Sequence, residues 1–111
     1  PTTETIELAH ALDSELKLPI GKIVVNCVLP PLFSKDERTV LEAVSPNDLD
    51  MTSAPDVAIS AGRSRSLREH VQAMALARLS KELPVSPSFL PQLFEDAAQP
   101  HAIRELAKRV G

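Results

Sequence analysis

The segment 22–31 reads Lys-Ile-Val-Val-Asn-Cys-Val-Leu-Pro-Pro, an apolar run rich in β-branched residues that two prolines close. Such a run is typical of a strand in a parallel sheet, where helices cover both faces and both sides of the strand are buried. The segment therefore predicts an α/β fold. Cys27, in the middle of this strand, is expected to be a small buried apolar residue.

Asn26 is the one polar side chain inside this run. A buried amide is costly unless it has hydrogen-bond partners. Its position towards the carboxyl end of the strand is where α/β sheets place ligands. Two interpretations stay open: Asn26 contacts a ligand, or it is a polar residue on the strand rim that bonds to a neighbouring loop.

The spacing of apolar residues predicts the element order α, β, α, α, short β, α. Helices are expected ahead of Leu18-Pro19, over 35–44, within 57–83 and from Pro100 to Gly111, with the short strand at 88–91. Ser34 and Glu37 have the spacing of a capping box at the start of the second helix.

The segment Val57–Leu83 is predicted to be one long helix or a pair of helices broken at Gly62. Its apolar residues recur at helical spacing and comprise Leu67, Val71, Met74, Ala75, Leu79 and Leu83. This pattern indicates an amphipathic helix. The apolar face either covers a sheet or packs in a helical subdomain, or it presents a hydrophobic surface to a partner.

The first thirty residues look like half of a βαβ unit whose opening strand is missing. We therefore expect residues 1–111 to form a single partial domain. Its parallel sheet would have about two strands with covering helices and would be incomplete without an amino-terminal half. Residues 45–83 would form a loop and a helical insertion.

Composition narrows the function. The chain has 43% hydrophobic and 24% charged residues, a formal net charge of -3, and no apolar run long enough to span a bilayer,. A cytoplasmic protein without a membrane span is expected. Nucleic acid is not an expected partner, because three phenylalanines are the only aromatic residues and the short basic group at Arg63, Arg65 and Arg68 is typical of a solvated helix end,.

No catalytic residue is predicted. The three glycines Gly21, Gly62 and Gly111 are far apart and form no phosphate-binding loop,. The three histidines are on different predicted helices, and one cysteine offers neither a disulfide nor a metal site,. The adjacent acids Glu95 and Asp96 are expected to be solvated.

Several segments, taken in order, resemble the carboxyl-terminal half of the ArsA-type anion-transporting ATPases, the family of the arsenite-pump and tail-anchored-protein targeting ATPases. They are Glu4-Thr5 at a helix start, Ile-Val-Val-Asn-Cys-Val-Leu-Pro at 23–30, a helix with Arg68, Gln72 and Leu76, Leu90-Pro91 through Phe94, and Ile-Arg-Glu-Leu-Ala in the last helix. Together they cover nearly the whole chain.

The resemblance implies a P-loop-NTPase-like sheet and a place beside ATP. Asn26 would contact the adenine ring, and Pro91, Gln92 and Leu93 would pack next to the base. The phosphate loop, both switch regions and the contacts to Mg²⁺ would belong to the amino-terminal half. This chain alone would then not hydrolyse ATP, although its parent protein would be an ATPase.

The chain also departs from that family. Residues 55–67 contain no cysteine, so the zinc-clamped dimer of the targeting members is not expected. Cys27 does not match the metalloid cysteines of the arsenite pumps. The alternative function is a non-enzymatic module that binds a protein client or associates with itself, with the 67–83 helix as its apolar face.

Overall fold

Two parallel strands, Val24–Val28 (β1) and Ser88–Pro91 (β2), form the sheet in a computed structural model of the chain. The structure describes residues 1–94 and 97–111. Glu95 and Asp96, the acids expected to be solvated, lie outside these residues. The predicted α/β class, the short second strand and the parallel pairing are confirmed.

Four α-helices lie in the described part of the chain: α1 at Thr2–His10, α2 at Lys35–Ala43, α3 at Ala54–Glu82 and α4 at Pro100–Val110. A π-helical turn at Ala11–Glu15 extends α1, and a 3₁₀ turn at Pro46–Asp48 precedes α3. Over 1–94 and 97–111, no helix has both the length and the hydropathy needed to cross a membrane.

The predicted capping box at the start of α2 is confirmed. The Glu37 backbone N–H donates to Ser34 Oγ at 3.2 Å, and the Ser34 N–H donates to Glu37 Oε2 at 2.8 Å. These two bonds satisfy backbone donors that the first turn of a helix leaves without intrahelical partners. The local sequence therefore sets where α2 begins.

Gly62 does not break α3, which runs uninterrupted through it. Of the two predicted forms, the single long helix is confirmed. The glycine serves close packing, because a Cβ atom there would lie 3.3 Å from Leu41 Cδ2 and 3.6 Å from Phe33 Cζ. A flat helix surface at this position lets these two side chains approach the α3 backbone.

The chain folds as two units. The first unit comprises Pro1–Pro30 and Met74–Gly111, and the second is Pro31–Ala73. The core of the first unit is formed by Ile6, Ala9, Leu79 and Leu83, against which Ile20, Ile23, Val25 and Leu76 pack. The prediction of one partial domain with an insertion at 45–83 stays a prediction.

The predicted burial of β1 on both faces is wrong. Val24 and Asn26 are exposed, Val25 and Val28 are half-buried, and Cys27 is exposed rather than a buried apolar residue. β1 has one neighbouring strand, β2, in the described part of the chain, so its other edge is not paired there. A sheet of two strands covers β1 less completely than a wide parallel sheet with helices on both faces would.

The predicted apolar face of α3 is only partly buried. Leu79 and Leu83 are in the core of the first unit, but Leu67, Val71 and Met74 are 38%, 66% and 64% exposed. In the part of α3 that belongs to the second unit, the buried residues include the polar Ser66 and Glu69. In this segment the buried positions are therefore polar, whereas the apolar spacing predicted that Leu67 and Val71 would be buried.

Candidate functional site

The carboxyl end of the sheet places the segment from Pro91 to Leu93 beside the end of β1. Because β1 and β2 are parallel, both strands end on the same side, and Val28 is in register with Pro91. The Gln92 backbone N–H donates to the Val28 carbonyl at 2.7 Å. The segment that begins at Pro91 and continues through Leu93 therefore leaves β2 beside the end of β1.

A bulge at Asn26 and Cys27 distorts β1 just before this edge. Val25 pairs with Phe89 and Val28 with Pro91, so β1 has one residue more than β2 over this stretch. Cys27 has φ of 58°, in the left-handed region that non-glycine residues seldom adopt,. Bulges change where side chains point and are common next to functional sites, where strained residues also concentrate.

Asn26 is exposed at the bulge, near the middle of β1 and not at its last residue. Its Oδ1 accepts a hydrogen bond from the Cys27 N–H at 2.8 Å. This bond leaves the second lone pair of Oδ1 and the two N–H donors of the amide for other groups. An amide with these groups can pair with the N6 and N7 edge of adenine.

Pro91, Gln92 and Leu93 are half-buried. Leu93 also lines a depression of about 370 Å³ together with residues of α4, namely His101, Ala102, Arg104, Glu105 and Lys108. The segment therefore offers one amide and apolar surface next to a wall with basic side chains. Such a mixture of apolar contact and a few polar groups is typical of sites for small ligands.

A second concave surface lies in the unit formed by Pro31–Ala73. We call it the α2 groove; its volume is about 700 Å³ and its lining residues are Leu32, Phe33, Asp36, Glu37, Val40 and Leu41. This groove was not predicted from the sequence. The signal was the helical spacing of 36, 37, 40 and 41, which places two acids and two apolar residues on one side of α2.

Glu69 holds the start of this unit in place. Its Oε1 accepts from the Leu32 N–H at 2.8 Å and from Arg65 Nε at 2.9 Å, and its side chain is 4% exposed. Burial raises the pKa of Glu69, but the hydrogen bonds from Arg65 and Leu32 and the charges of Arg65 and Arg38 outweigh it and lower the pKa overall,.

The same contacts correct the prediction for the basic group. Arg65 is 14% exposed and paired with Glu69, so it is not part of a solvated helix end. Arg63 is half-buried and Arg68 is exposed, and all three lie inside α3. The described residues contain no group of three or more His, Cys, Asp or Glu side chains placed to hold a metal ion.

No family model matches this chain, and no curated protein or solved structure matches it. The function therefore has to be inferred from the carboxyl edge of the sheet and from the α2 groove.

Proposed function

We propose that this chain supplies the adenine side of an ATP-binding protein of the ArsA type. In this proposal Asn26 hydrogen-bonds the base edge, and Pro91, Gln92 and Leu93 contact the ring. The observation that carries it is the adjacency of the two strand ends, where Gln92 N–H meets the Val28 carbonyl next to the Asn26 bulge. Open α/β sheets bind ligands at this edge.

The chemistry of the site residues fits a base. The amide of Asn26 keeps two donors and a lone pair, and adenine offers a donor and an acceptor on one edge,. The half-buried segment from Pro91 to Leu93 supplies apolar surface. The parallel pairing of β1 and β2 is the feature that supports a P-loop-NTPase-like sheet as part of the proposal.

The phosphates and Mg²⁺ need a glycine-rich loop and carboxylates, and the three glycines here are too far apart to form that loop,. We assign those contacts to another part of the ATPase. The chain then binds ATP but does not catalyse its hydrolysis. The proposal requires no zinc. A cytoplasmic location stays a prediction.

Asn26→Ala tests the proposal through ATP affinity. We expect the chain to bind ATP weakly, with a dissociation constant on the order of 1 mM, and adenosine about equally well because the phosphates add few contacts. Loss of the amide should weaken both about tenfold, which corresponds to the ~1.4 kcal/mol of a good hydrogen bond. Equilibrium dialysis with radiolabelled ATP and adenosine measures the change.

Asn47→Ala is the matched control, because Asn47 is an exposed asparagine in the 3₁₀ turn of the other unit. It should leave both affinities unchanged. Equal losses in the two variants, or unchanged affinity in Asn26→Ala, would contradict the assignment of Asn26. Tight binding with ATP turnover by the chain alone would contradict the division of labour.

The second candidate function is the protein-interaction module, and the exposure of α3 favours it. Leu67 is 38% and Val71 is 66% exposed, one helical turn apart on the same face,. Val71→Asp should weaken any self-association through this face by about tenfold or more, since it places a charge in an apolar contact. Sedimentation velocity over a concentration series measures the association, and an unchanged profile would exclude this face of α3 as the contact.

A further inference from the structure

The α2 groove combines an apolar floor with acidic residues. Four of its lining residues are apolar and two, Asp36 and Glu37, are acidic; none of the lining side chains is basic. Leu32 is 63% and Val40 is 68% exposed. A small molecule in such an open groove would stay largely in contact with water, whereas ligand pockets bury most of their ligand. A helix that lies along α2 suits the groove better.

The outer side of α4 is complementary to the groove. Ala102, at 1% exposure, faces the interior, and Ile103 is 54% exposed. Ala107, one turn after Ile103, is also exposed. A basic residue follows each of them, Arg104 after Ile103 and Lys108 after Ala107. The side therefore pairs an apolar row with a basic row at helical spacing.

Both surfaces expose apolar side chains that a partner could cover. Among the described residues, Leu32, Val40 and Ile103 are three of fourteen large apolar side chains that are exposed, so an apolar partner surface is favoured.

We propose that the α2 groove binds the outer side of α4 from a second copy of this chain. Val40 and Leu32 contact Ile103, while Asp36 faces the basic row of Arg104 and Lys108. This association goes beyond nucleotide contact, since it uses neither Asn26 nor the segment from Pro91 to Leu93, and it shares only Arg104 and Lys108 with the depression beside Leu93. It is a weak, salt-sensitive interaction, because exposed charge pairs are screened by ions.

Charge reversal in two separate chains tests the pairing. Asp36→Lys puts a positive charge opposite the basic row of α4 and leaves the groove without net charge, and the double variant Arg104→Glu with Lys108→Glu makes α4 acidic against an acidic groove. Each variant alone should associate at least tenfold more weakly than the unmodified chain. Mixed in equal amounts they should associate again, because the charge at position 36 of each chain is then opposite to that of the α4 it meets. Sedimentation velocity up to about 1 mM measures all three samples.

A second pair of variants tests the apolar contact without changing charge near the first turn of α2. Val40→Asp and Ile103→Asp should each weaken association at least tenfold, whereas Val71→Asp on α3 should leave it unchanged. Circular dichroism confirms that each variant keeps its helices. In the mixture of the charge-reversed chains, recovered association shows that both chains are folded, because a misfolded chain would not regain binding.

Four results would overturn the proposal. One is a chain that stays monomeric up to about 1 mM. Another is a mixture of the charge-reversed chains that associates no better than either alone. The third is association lost through Val71→Asp and kept in Val40→Asp, which would assign the contact to α3. The fourth is binding of a basic amphipathic peptide with no self-association, which would assign the groove to another protein.

Discussion

Replacing Glu69 by alanine is expected to lower the free energy of unfolding by about 3–5 kcal/mol. The change leaves the Leu32 N–H without its acceptor and removes the carboxylate from Arg65, whose side chain is only 14% exposed. Removing one partner of a buried ion pair is far more costly than losing an exposed pair. Urea denaturation monitored by circular dichroism measures the difference.

Glu82→Ala is the matched control on the same helix. Glu82 accepts from Arg78 Nε at 3.1 Å, but the two side chains are 40% and 44% exposed, so the loss should be below about 0.5 kcal/mol,. Glu69→Gln keeps an acceptor for both donors and should cost less than Glu69→Ala. Equal effects of Glu69→Ala and Glu82→Ala would contradict the buried network.

The Glu69 variants also differ in their response to acid. A carboxyl whose pKa is lowered on folding contributes stability that is complete above its unfolded pKa and is lost as the pH falls towards its folded pKa. The lowered pKa of Glu69 therefore predicts a loss of stability below the ordinary range of a glutamate. Glu69→Gln should remove this part of the pH dependence.

Leu79→Ala should lower the free energy of unfolding by about 2–5 kcal/mol. Leu79 is 7% exposed and packs with Ile6, Ala9 and Leu83 in the core of the first unit. Truncation leaves a cavity in this core. Because the core has few large side chains, the loss of one leucine removes a larger share of the buried apolar surface than it would in a larger core. Thermal and urea unfolding measure the effect.

Leu67→Ala is the control for that substitution, because it removes the same atoms from the same helix at a position that is 38% exposed. We expect a loss below about 1 kcal/mol. A loss at Leu67 as large as at Leu79 would mean that the face of α3 assigned to solvent is buried in solution.

Local rules in the sequence predicted the elements well. The capping box at Ser34 and Glu37, the proline that begins α4 and the short strand that begins at Ser88 all depend on residues within a few positions of each other. The parallel pairing also followed, because the apolar run and the later strand are separated by helices.

Burial could not be predicted in the same way. The apolar run in β1 indicates a strand with cover on both faces, but how much cover exists depends on neighbours far along the chain. Likewise, Leu67 and Val71 have the spacing of a buried face, yet Ser66 and Glu69 are the buried residues of that segment. Partners such as Glu42, which accepts from Ser66 Oγ at 2.8 Å, decide this and are 24 positions away.

The candidate site shows the same division. Asn26 was predicted from its place in the apolar strand, because open α/β sheets bind ligands at the carboxyl ends of their strands, whereas Pro91, Gln92 and Leu93 came only from the family resemblance. The bulge at Asn26 and Cys27 was not predicted, since it arises from the register between β1 and β2. The α2 groove was also missed, because concavity depends on how the segment from Leu32 packs beside α2.

The most direct test of the adenine assignment is a ¹H–¹⁵N NMR titration of the chain with adenosine, with guanosine as the comparison. The proposal predicts that adenosine shifts the backbone signals of Cys27, Gln92 and Leu93 and the side-chain amide of Asn26, and that guanosine does so more weakly. Shifts confined to residues 31–73, or no shifts with either nucleoside, would contradict the assignment of this sheet edge to a nucleotide.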